Sequence, residues 1–133
     1  MKNIIVLLLL ITSCTASKKV GIKKLGMPVM EFENSFYDIG TLKKGETRDL
    51  EYKFWNRGDE DLVIEIATTC NCTLLDYPTT PIEPGKSGII KAHFDSKDKD
   101  EQELIVITIV LANENPKNGY PIVEEVKFHF DIE

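Results

Sequence analysis

Histidine is almost missing from this chain. The 133 residues hold two, His93 and His129, too few for a histidine-built metal centre, since a closed zinc site needs four ligands. Cysteine is scarce too: Cys14, Cys70 and Cys72. Past the N-terminal stretch only Cys70 and Cys72 remain, which excludes a disulfide-built scaffold; they are not at immunoglobulin spacing, which leaves core packing to hold any sandwich. No apolar run reaches the roughly 20 residues of a membrane span. Lysine and arginine number 16 against 22 acidic residues, a net charge of −6. Most of the basic excess sits before Pro28, so the remainder is more acidic still. That excludes the basic face that nucleic acid requires. Ser35, Ser87 and Ser96 lack a Gly-x-Ser-x-Gly context. The acidic clusters Asp59-Glu60-Asp61 and Asp98-Lys99-Asp100-Glu101 lack calcium-loop spacing and read as solvated turns. With no catalytic constellation, the chain is expected to be no enzyme and to carry no cofactor.

The N-terminus is the most informative stretch. Lys2 precedes an apolar run from Ile4 to Ile11, followed by Thr12, Ser13 and Cys14. A basic start, a short apolar stretch and small residues make a secretory signal. The Ile11-Thr12-Ser13-Cys14 tail resembles the lipobox of bacterial lipoproteins. The resemblance implies cleavage before Cys14, a lipid on its thiol and a membrane-tethered protein in the cell envelope. Residues 1–13 are then signal peptide, and 14–28 are anchor and tether. The tether's Lys18, Lys19, Lys23 and Lys24 suit either an anionic headgroup surface, at about 1 kcal/mol each, or plain solvent. Pro28 marks its expected end. Residues 29–133 are long enough for one domain with its own core.

Alternation dominates that domain. Leu50, Tyr52 and Phe54 alternate with mostly polar neighbours, as do Ile90, Ala92 and Phe94, and Val126, Phe128, Phe130 and Ile132, while Leu62, Ile64 and Ile66 alternate around Glu65. Each set sends one row to a core and one to water. The run from Leu104 to Leu111 is apolar on both faces and reads as a central strand or one covered by a partner. Turn signals at Lys44-Gly45, Asn56-Arg57-Gly58-Asp59, Pro84-Gly85 and Asn115 to Gly119 punctuate the runs. The pattern predicts an all-β, immunoglobulin-like antiparallel β-sandwich of about seven strands, starting near Met30-Glu31-Phe32.

Four stretches occur in a telling order: Phe36-Tyr37-Asp38-Ile39-Gly40; Asn56-Arg57-Gly58 leading to Leu62-Val63-Ile64; Cys70-Asn71-Cys72-Thr73; and Pro84-Gly85. Leu111-Ala112-Asn113 comes after them. Together they resemble family 1573 of the bacterial domains of unknown function, immunoglobulin-like sandwiches related to Hydin. Asn71 stands where that family has Gly, and a left-handed turn tolerates Asn next best. The resemblance implies a fold and a location, but no activity.

Cys70 and Cys72 carry the open question. In a straight strand they would share one face, about 6.6 Å apart, and could not bond. A turn at Asn71 would join them in a very small, strained ring that is easier to reduce. The pair reads as a redox dithiol, as a soft-metal chelate for Cu(I) or Zn(II), or as a static end of strand. A lowered thiol pKa needs nearby positive charge, and in sequence the neighbour is Asp76. His93 and His129 fall on polar rows, with nothing in the sequence to bring them to this loop. The expected function is a lipid-anchored, non-catalytic protein-binding or structural module of the envelope, with another envelope protein as partner. The alternative is thiol redox or soft-metal handling at Cys70 and Cys72. Expected contact residues are Asn71 in the loop, Trp55 and the strand around Ile107. Trp55 reads either as an exposed binding aromatic or as a ring packed under a loop.

Overall fold

The computed structural model describes residue 21 and residues 23–133; the expected signal segment and Cys14 lie outside them. Eight strands run in order: β1 (Met30–Phe32), β2 (Phe36–Leu42), β3 (Thr47–Asn56), β4 (Ile64–Thr68), β5 (Thr73–Asp76), β6 (Ser87–Asp95), β7 (Glu103–Glu114) and β8 (Pro121–Ile132). They form two four-stranded sheets, β1-β3-β6-β5 and β2-β8-β7-β4. The count exceeds the expected seven because the opening segment divides. β1 pairs with β3 in one sheet, and β2 crosses to pair with β8 in the other. The β2–β8 pairing is parallel, so the sandwich is antiparallel except at this one junction.

Alternation places the core as read. Tyr52, Phe54, Ile90, Phe94, Val126, Phe128 and Phe130 are fully buried. Phe94 of one sheet meets Phe128 and Phe130 of the other at ring-centroid distances of 5.1 and 4.7 Å, the spacing that favours tilted and edge-on rings. The Tyr52 hydroxyl donates to the Lys127 carbonyl at 3.0 Å and so ties the sheets together. Burial, with a smaller contribution from Tyr37, pushes its phenol above the ordinary range.

Two expectations change in detail. Ile107 is fully buried and is no contact residue, because its strand lies second from the edge with the odd-numbered side chains inward. Its outward row is Leu104, Val106, Thr108 and Val110. In β4, Ile64 pairs with Leu111 but Ile66 pairs with Val110, so a bulge falls between them. An extra residue reverses the facing of every side chain beyond it: Ile64 and Ala67 point inward, and Ile66 is 45% exposed.

The chain is held from Leu25 onward, ahead of the expected boundary at Pro28. The Leu25 and Met27 N–H groups donate to the Asp59 carboxylate, and Arg57 N–H donates to the Val29 carbonyl. Gly58 permits this approach, since a Cβ there would lie 2.6 Å from Pro28 Cα and Val29 N. Asn56, fully buried, organises the same turn. Its Oδ1 accepts from Gly58 and Val29 N–H, and its Nδ2 donates to the Glu60 and Ile82 carbonyls. The Cys70–Cys72 loop lies at the opposite end of the sandwich, beside the end of β6.

Candidate functional site

The loop between β4 and β5 turns at Asn71-Cys72. The turn brings the Cys70 and Cys72 Cα atoms to 5.2 Å, and a disulfide joins them, within the distance that bridging needs. No non-glycine residue among those described has positive φ, so Asn71 turns the chain without the left-handed backbone expected of it. Asn71 is exposed, and both cysteines are half-buried and pack against the core.

Backbone bonds hold this loop independently of the sulfurs. Thr73 N–H donates to the Cys70 carbonyl at 3.2 Å, and Asp95 N–H donates to the Cys72 carbonyl at 2.9 Å. A cross-link closing so short a loop removes little chain entropy, about 1–2 kcal/mol. Beneath it, the buried Thr73 hydroxyl lies 3.7 Å from Cys70 Sγ and 3.6 Å from Cys72 Sγ. In sequence Thr73 is only the last residue of a motif, and no sequence signal gives its side chain a role.

The register of β5 on β6 sets the surroundings. Leu74 pairs with His93, and Thr73 with Phe94. Thr73 and Phe94 face the core, so Leu74, His93 and Asp95 share the outer face, with the Cys70–Cys72 loop at its end. An open cleft of about 460 Å³ is lined there by Cys70, Cys72, His93, Asp95, Lys97 and Lys99, among others. Hence the structure brings His93 and two lysines to a loop that lacks them in sequence. Asp95 and Asp98 line the same cleft, so its charges are mixed. His93 Nδ1 is engaged by the Asp49 carboxylate at 2.6 Å. His129 sits on the other sheet, 3.6 Å from Asp38, and does not approach the loop. Among the described residues, no three His, Cys, Asp or Glu side chains group as metal ligands.

Trp55 is half-buried on the outer face of the first sheet. Lys53 Nζ lies 5.0 Å and Arg57 Cζ 5.3 Å from its ring centre, a cation–π arrangement that occupies part of the aromatic surface. A more open apolar row crosses the second sheet. Ile66, Val110 and Val123 stand side by side on β4, β7 and β8, with Ile66 45% and Val123 53% exposed. The bulge that turned Ile66 outward also completes this row, which strict alternation could not have foreseen.

The fold has relatives among solved structures. A protein of unknown function from Porphyromonas gingivalis W83 superposes with a TM-score of 0.65 at 21% identity, over 86% of this chain and 51% of that one. The chain thus spans about half the length of that protein. The ASH/PapD-like domain 7 of human CEP192 superposes at 0.61 and 8% identity, over 99% and 98% of the two chains. The Vibrio cholerae VesB protease does so at 0.61 and 10% identity, over 78% of this chain and 31% of that one. At these identities the likeness is one of fold alone. No curated protein matches the chain. A family profile matches residues 30–124, a span that takes in the first seven strands, the start of β8 and all four stretches of motif; the chain belongs to the family of proteins of unknown function designated DUF1573.

Proposed function

We propose that this protein is a lipid-anchored, non-catalytic module of the bacterial cell envelope that binds another envelope protein. Cys14 carries the lipid in this reading, and the lysines after it lie against anionic headgroups. The observation that carries the binding role is the Ile66–Val110–Val123 row. Three adjacent strands each turn an aliphatic side chain outward at one register position, although a polar residue there would leave the core undisturbed. Contiguous exposed apolar surface of this kind supports protein contact. The sheet gives it a rigid base, and the rim of such a contact is polar, as Glu125 and Lys127 are.

The test is a photoreactive residue at Val110 in the intact envelope. One discrete cross-linked protein is expected, and it should disappear when Val123→Asp is added, with the domain still folded. No protein adduct, or an adduct indifferent to Val123→Asp, would remove the basis of this reading.

A further inference from the structure

We infer that the Cys70–Cys72 disulfide is a reversible two-electron acceptor that exchanges with dithiols while the domain stays folded. The inference is independent of the contact face on the second sheet. It rests on three observations. Backbone bonds from Thr73 and Asp95 fix both cysteine carbonyls, so the loop keeps its shape without the sulfur bridge. Both half-buried cysteines border open space: Cys70 lines two separate clefts, one beside β4 and one beside β6, and Cys72 lines the second. A buried hydroxyl, Thr73 Oγ1, sits within reach of both sulfurs, where it can donate to a thiolate. A bridge that only fastened the loop would need neither the clefts beside it nor the hydroxyl.

The geometry orders the step. A donor thiolate approaches from the β4 side and bonds to Cys70 Sγ. The Cys70–Cys72 bond breaks, and its electron pair leaves on Cys72 Sγ, which accepts the Thr73 hydrogen bond and takes a proton from water. The donor's second thiolate then attacks the donor sulfur held on Cys70 and releases Cys70 as a thiolate, which is protonated in turn. The donor ends as a disulfide, two electrons poorer, and the protein as a dithiol. Lys97 favours the thiolate, while Lys99 is paired with the Glu103 carboxylate and Asp95 and Asp98 on the same cleft oppose it. This balance leaves Thr73 as the specific stabiliser.

The experiment uses the full chain with Cys14→Ser, so that two thiols remain. Dithiothreitol is the donor, alkylation and mass measurement track opening, and near-ultraviolet circular dichroism tracks the fold. Opening without denaturant, with the aromatic signal retained, is expected. Thr73→Val should slow opening by roughly tenfold, the effect of one hydrogen bond to a charged group, and Thr73→Ser should restore it. A purely structural threonine would not act on the rate in this way. Opening only in denaturant, or together with loss of the aromatic signal, overturns the inference. So does a Thr73→Val chain that folds and opens at the unaltered rate. Should Thr73→Val fail to fold, the behaviour of the Cys14→Ser chain alone decides.

Discussion

Asn56 shows how much one side chain can organise. All of its polar atoms are used: two N–H groups converge on Oδ1, and Nδ2 donates to two carbonyls. Asn113 plays a smaller part nearby, accepting from Val63 N–H and donating to the Asp61 carbonyl. Removing a buried partner leaves the others unsatisfied at about 1–3 kcal/mol each. Asn56→Ala should therefore lower the unfolding free energy by about 3 kcal/mol, read as a fall in the urea midpoint. Glu124 offers an opposite case. It sits on the inward row near the start of β8, and burial raises its carboxyl above the ordinary range. A raised acid binds its proton more tightly when folded, so stability is fullest below the unfolded value and is lost as pH rises through the folded one. Glu124→Gln should raise Tm slightly at pH 7, and the gain should vanish in melts below about pH 4. The sequence shows Asn56 as a turn signal but hides its burial, because its partners come from three separate segments.

Between neighbouring strands, alternation was a good guide wherever a strand ran straight. β3, β6 and β8 present the expected rows to the core, since period-two geometry leaves no other solution with one face buried. It failed where the backbone departs from that period. The bulge in β4 has no marker in Ile64-Glu65-Ile66-Ala67, and it is fixed by pairing with β7, not by local preference. A pair of substitutions distinguishes the two sides. Ile64→Ala should cost about 2–5 kcal/mol, as expected for emptying a core site, whereas Ile66→Ala should stay within about 0.5 kcal/mol. Equal losses in urea unfolding would place both residues in the core. The disulfide loop obeyed the same rule. The turn that joins Cys70 to Cys72 was foreseeable from their spacing, but the lysines and His93 reach it only through the β5–β6 register.

At the scale of the whole molecule, the sandwich was legible from strands and turns, and the division of the opening segment into β1 and β2 was not. That division depends on where the last strand lies. The proposed anchor belongs to this scale too. Cys14→Ser should move the protein from the membrane fraction to the soluble fraction of cells, and unchanged membrane association would remove the lipid from the proposal. The parallel pairing of β2 with β8 reaches further, into the order of events during synthesis. The second sheet joins a strand near the start of the domain to its final twelve-residue strand, so it cannot close while those residues are still being made. Pairings so distant in sequence are slow to form. Until β8 has been made, this domain has no finished sandwich to obstruct a narrow passage, and if the protein belongs to the envelope as proposed, an export channel would receive it as an open thread.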